Sequence, residues 1–224
     1  MRTVQGVLEG ALARLAGETI VTTVAGRTDA GVHAVGQVVS CDVPLEPFSD
    51  PGRVRQALDR LCGPEVTVWA VKIVDAAFDA RFSALQRRYV YRLCDAQAMP
   101  PLWRHDTWHA GAPPLDVEAM NQGALALMGE HDFSSFCRRA GDEHLVRRID
   151  RLDVHRAQPD LVLVEVDGPA FCHQMVRSIV GCLRVVGTGR RPPASIAQAL
   201  AARDRAAAGP LAPPHGLTLL AVDY

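Results

Sequence analysis

Apolar residues recur at Val4, Val7, Leu8, Ala11, Leu12 and Leu15. That i, i+3, i+4 stripe predicts a helix over Val4–Ala16, capped by Thr3 and closed by Gly17. The pattern then becomes β-like over 19–25 and again over 35–43. A proline-rich connection leads to a second stripe at Val54, Ala57, Leu58 and Leu61, with Ser49 or Asp50 as cap and Pro51 in the first turn. Residues 65–75 read as a strand. Residues 84–94 alternate, which puts Tyr89 and Tyr91 on one face of a strand. Helices are expected over 115–128, 171–186 and 194–203, and strands over 145–155, 161–166 and 217–222. Residues 99–114 and the stretch His131-Asp132-Phe133-Ser134-Ser135-Phe136 read as loops.

Strands and helices in this order predict an α+β fold built from two related ferredoxin- or RRM-like halves. The sheet is expected to be mainly antiparallel, with helices on one face and an active-site cleft between the halves. The expected division is 1–82, an N-terminal half with an aspartate loop, and 83–224, a C-terminal half with cleft residues.

Composition narrows the class. At 224 residues and 48% apolar, the chain can bury a substantial core and is not a disordered polymer. No apolar run is long enough for a bilayer and the N-terminus lacks a signal-peptide core, so the expected compartment is the cytoplasm. Six cysteines are scattered without a C-x-x-C. They read as free thiols packed as small hydrophobes.

The net charge is −1, but the average hides the distribution. Lys72 is the only lysine, and arginines cluster at Arg81, Arg87, Arg88 and Arg92, at Arg138 and Arg139, at Arg147, Arg148 and Arg151, and at Arg190 and Arg191. Guanidinium forks match phosphates and stack on bases. A GC-rich coding bias accounts equally well for any single arginine.

The chemistry concentrates in Gly26-Arg27-Thr28-Asp29-Ala30-Gly31-Val32-His33, a loop between two β-like runs. Glycines admit positive φ and close approach. An ionised aspartate suits a nucleophile or general base. The plain alternative is that Asp29 caps a turn or pairs with Arg27. Asp29 and His33 invite a metal reading, but the glycines argue against a helix that would align them. His173 and Arg177 stand four apart on an expected helix, so both can face one cleft. Tyr89 or Tyr91 offers a ring on which a base can stack.

These residues resemble the signature of the TruA family of tRNA pseudouridine synthases. The likeness continues through Phe78-Asp79-Ala80-Arg81-Phe82-Ser83-Ala84, Arg87-Arg88-Tyr89-Val90-Tyr91, Gly129 to Phe136, Phe171 to Gly181 and Gly216-Leu217. The resemblance implies isomerisation of uridine to pseudouridine at tRNA positions 38–40 in the anticodon stem-loop, by a cytoplasmic homodimer that uses no cofactor or metal. By motif position it implies Asp29 as catalytic aspartate and Tyr89 as the ring under the target base. It makes Arg177 the basic partner of the aspartate, Arg27 a holder of the flipped nucleotide and Leu217 an apolar contact to the uracil. Arg87, Arg88 and His173 are expected to touch RNA.

One departure stands out. Family members place a strand with Tyr-Asp-Gly and Gly-Trp-Gln segments before the stretch that stands here as Arg2-Thr3-Val4-Gln5. Without it the first half is expected to be short of a sheet partner. The competing reading is therefore a weakly active or inactive RNA-binding, tRNA-folding module; a metal-dependent hydrolase using Asp29 and His33 is a third.

Overall fold

The computed structural model describes residues 2–138, 141 and 144–224; Arg139 lies outside them. In chain order the helices are α1 (Val4–Ala16), α2 (Leu45–Phe48), α3 (Pro51–Cys62), α4 (Val117–Ala124), α5 (Met175–Gly187) and α6 (Ala194–Ala202). The strands are β1 (Thr23–Val24), β2 (His33–Ala34), β3 (Val39–Ser40), β4 (Gln86–Cys94), β5 (Trp108–His109), β6 (Gly129–Asp132), β7 (Val146–Ile149), β8 (Arg151–Gln158), β9 (Leu161–Gly168) and β10 (Leu217–Asp223).

Two compact units form. The first comprises the residues up to Arg27 together with Val38–Ala84; the second comprises Thr28–Gln37 and Leu85–Tyr224. The Asp29 loop thus belongs to the second unit, not to the N-terminal segment in which the sequence reading placed it.

In the first unit the helix ends follow the local chemistry. The Thr3 hydroxyl accepts from the Gly6 amide at 3.0 Å, and Gly17 closes α1 with φ 77°. The Asp50 carboxylate caps α3 by accepting from the amides of Gly52 and Arg53. Ala11 and Leu12 of α1 join Val54, Leu58 and Cys62 of α3, with Ile20 and Phe48, in a small core. Glu9 ties α1 to the next segment by accepting from the Thr22 hydroxyl at 2.8 Å.

The expected strands of this unit are mostly not realised. Only β1 and β3 pair, antiparallel and two residues long. Residues 65–75 form no strand. Val66 and Val68 pack on the helical core while Trp69 and Ile73 are 75% and 71% exposed. The alternating pattern puts one set of side chains inward, but a strand also needs a neighbouring row of backbone partners. Here the Val68 amide goes to the Asp59 carboxylate instead.

The second unit is built on a larger sheet. Its strands run β2-β10-β4-β9-β8, with β5 also paired to β4. The long pairs, β10/β4, β4/β9 and β9/β8, are antiparallel; the short pairs, β2/β10 and β4/β5, are parallel. Tyr91, Leu93, Val162, Val164, Val166 and Leu219 point to one face and meet Met120, Ile179, Leu183, Val186 and Ile196 from α4, α5 and α6 in one core. This is the α+β, mainly antiparallel arrangement that the alternating patterns imply.

Three boundaries differ from expectation. Residues 129–132 are a strand paired with β7, not loop. The run 145–155 is two strands, broken at Asp150. Helix α5 begins at Met175, so 171–174 precede it. The cysteines differ too. Cys137 and Cys172 form a disulfide with Cα atoms 5.7 Å apart, while Cys41, Cys62, Cys94 and Cys182 are free. Only the fold brings that pair together; a separation of 35 residues carries no motif.

Candidate active site

The Asp29 loop is a turn stitched to the last strand. The Val32 amide donates to the Asp29 carbonyl at 3.1 Å, and Gly31 has φ 86°. That left-handed conformation is inexpensive for glycine and costly for residues bearing a Cβ. His33 and Ala34 then pair with Thr218 and Leu219 of β10, and the amides of Val35 and Gly36 both donate to the Leu219 carbonyl. A Cβ on Gly36 would lie 2.2 Å from the Leu220 carbonyl oxygen, so glycine permits the close return.

The carboxylate of Asp29 has one hydrogen-bond donor, Arg177, and one imidazole close by. Arg177 Nη1 donates to Oδ2, and His173 Nε2 stands 3.0 Å from Oδ1. Arg177 lies on the first turn of α5 with its side chain 11% exposed. Its Nε donates to the Ala212 carbonyl at 2.8 Å, and the Ala212 amide returns a bond to the Arg177 carbonyl at 3.2 Å. The guanidinium is therefore held before it reaches Asp29. The aspartate's ion-pair partners are Arg177 and His173, not Arg27.

Tyr89 and Tyr91 do lie on the inward face of β4. Tyr89 is 7% exposed and packs edge-on against Phe171, ring centroids 5.3 Å apart. Burial pushes its phenol up to about 12; Arg87 opposes the shift and the nearby Asp29 charge adds to it. The Tyr91 hydroxyl donates to the Pro213 carbonyl at 2.7 Å, and burial raises its phenol as well. Leu217 is buried and sits opposite Tyr91 in the β10/β4 pairing.

The raised phenol of Tyr89 has a stability consequence. Its folded value lies above the unfolded one near 10, so the unfolded chain loses the proton first as pH rises. The associated stability is complete below pH 10 and is lost between 10 and about 12. Two pH units correspond to roughly 2–3 kcal/mol. Alkaline unfolding of the parent should steepen across that window, and more so than in Tyr89→Phe, when followed by circular dichroism.

The remaining expected contacts divide. Arg87 is buried, with Nη1 donating to the Pro169 carbonyl at 2.5 Å, so it braces the sheet's end. Arg88, the next residue on the strand, faces the other side of the sheet and pairs with Asp223 at 2.5 Å. The structure brings neither to the Asp29 carboxylate. Arg27 is exposed and belongs to the first unit. Other clustered arginines are also engaged internally: Arg148 with Asp150, Arg151 with Glu165, and Arg184 over the Trp108 ring at 5.3 Å. His33 Nε2 contacts the His105 carbonyl at 2.7 Å. Among the described residues the one cluster with metal-ligand spacing is Asp153, His155 and Glu165, which does not include Asp29 or His33. Arg151 ion-pairs with both carboxylates of that cluster.

Sequence reasoning missed the backbone of 210–213. It anchors both Arg177 and Tyr91, and its signal was Gly181, an isolated glycine inside a helical pattern. It also placed His173 on the helix. His173 reaches Asp29 from the segment before α5, with its carbonyl accepting from the Arg138 amide at 2.9 Å.

Comparison with known proteins places the chain in a family. The family described as tRNA pseudouridine synthase matches residues 124–224. The tRNA pseudouridine synthase A of Frankia casuarinae is 49% identical over 226 residues, covering 100% of this chain and 81% of its own length. That of Afipia carboxidovorans is 45% identical over 226 residues, covering 99% and 89%, and that of Streptomyces avermitilis is 43% identical over 231 residues, covering 100% and 80%. With identity at this level along the whole chain, the protein belongs to the TruA-type tRNA pseudouridine synthases, which are isomerases.

Proposed function

We propose that the enzyme converts uridines at positions 38–40 of the tRNA anticodon stem-loop to pseudouridine, with Asp29 as its catalytic carboxylate. The observation that carries this reading is the Asp29 carboxylate held between Arg177 and His173. Tyr89 adds its charge sensitivity to the same place. A target base must leave the stack, at a cost of a few kcal/mol. In this reading Tyr89 offers the ring beneath the extruded uracil, Leu217 its apolar contact, and Arg27 the arm that holds the flipped nucleotide. Asp29 attacks a sugar or base carbon, or removes a ribose proton. The C1′–N1 bond breaks, the uracil turns and C5 bonds to C1′; Asp29 gives back the bond or proton it took, C5 loses its proton and N1 gains one, so the product is an isomer. Both routes place Asp29 against the ribose or the base, with Arg177 holding its other oxygen. The proposal includes a homodimer acting in the cytoplasm; no helix among the described residues is long and apolar enough to cross a membrane.

The test is incubation with an unmodified anticodon stem-loop, followed by mapping of pseudouridine. Product at positions 38–40 supports the assignment; product only elsewhere removes the positional claim. RNA binding with no product favours the tRNA-folding alternative. Binding should also weaken with salt, because arginine–phosphate contacts release counterions. Two or three such contacts predict a loss of roughly 10- to 100-fold between 50 and 200 mM salt, measured by filter binding.

A further inference from the structure

His173 is not required by the fold around it in the way Arg177 is. Its side chain is 42% exposed. Yet the backbone places it with care. Gln174 has φ 66°, one of two non-glycine residues in the left-handed region among those described. Such backbone is unfavourable and persists where surroundings over-determine it. The Met175 amide donates to the Cys172 carbonyl and the Arg138 amide to the His173 carbonyl. These bonds fix the turn from both sides. Its effect is to delay the helix and direct the imidazole at Oδ1 of Asp29.

A second group beside the carboxylate has a distinct geometric role. Arg177 holds Oδ2 alone. One contact leaves a carboxylate free to pivot about its Cβ–Cγ bond, whereas an imidazole packed 3.0 Å from the other oxygen limits that rotation. Reactions of positioned groups depend steeply on such alignment. We infer that His173 is a positioning residue that locks the plane of the Asp29 carboxylate, and not a contact to the RNA backbone. The inference rests on the reading of Asp29 as the catalytic group.

The experiment compares His173→Ala and His173→Gln with the parent, on an anticodon stem-loop RNA, by steady-state kinetics and equilibrium binding. Glutamine offers an N–H at similar reach. The alanine variant should lose roughly 10- to 100-fold in kcat, the scale of a misaligned catalytic group, with KM and RNA affinity within about twofold. Glutamine should recover most of the loss. The inference is overturned if alanine leaves kcat unchanged. It is equally overturned if the loss falls on KM and RNA affinity with a shallower salt dependence, or if glutamine fails to rescue. An Asp29→Asn control separates the two levels: activity surviving in that control removes the Asp29 assignment itself, whereas an inert control beside a fully active His173→Ala removes only the role of His173.

Discussion

Asp29→Asn is expected to bring pseudouridine formation down by about 10³-fold or more, the scale on which removal of a reacting group usually acts, while RNA affinity stays close to the parent's. The substitution keeps the shape of the side chain and removes its charge. The amide oxygen can still accept from Arg177, and the loop should remain closed: its turn is made by the Asp29 carbonyl and Val32 amide, and its strand by β10. Arg177 loses its counter-charge but keeps the Ala212 carbonyl. A modest fall in thermal midpoint is expected, with the chemical step lost. Single-turnover assays at saturating enzyme separate the two effects. Product at near-parent rates from Asp29→Asn would withdraw the catalytic assignment.

Gly181→Ala should be the most damaging small substitution in the second unit. The position lies inside α5, one turn beyond Arg177. A Cβ there would sit 1.7 Å from the Pro210 carbonyl oxygen and 3.3 Å from the Ala212 amide nitrogen. Both obstacles are backbone, so no side chain can rotate away. Either α5 moves from the sheet or residues 210–212 move from α5, and overpacking of this kind costs roughly 3–5 kcal/mol. For a unit of this size that is a fall of about 10–15 °C in Tm, measurable by calorimetry. The activity should fall further than stability alone explains. The displaced strand of backbone is the one whose Ala212 carbonyl holds Arg177.

Much of this was legible in the sequence where the determinants are local. Helices α1 and α3 follow from a stripe plus a cap, and Thr3, Gly17 and Asp50 behave as those rules require. Strands β4 and β9 follow from alternation with one face buried. What failed was what depends on a distant partner. Residues 65–75 have the apolar spacing of a strand, but spacing does not supply a neighbour to bond with. The Asp29 loop was assigned to the segment adjacent in sequence, whereas β10 claims it. The Cys137–Cys172 pairing has no sequence signature. His173 is the instructive case. The i, i+4 rule gave the right convergence with Arg177 for the wrong reason, since a left-handed Gln174 ends the helix before it reaches His173.

The pairing of β2 with β10 also sets an order of events during synthesis. Thr218 and Leu219 are made about 185 residues after their partners His33 and Ala34. At about 5–20 residues per second the loop waits roughly 10–40 s without the strand that shapes it. A nascent or prematurely terminated chain can fold α1 and α3 and still have no composed carboxylate site. The Asp29 loop is therefore shaped only once β10 has been made.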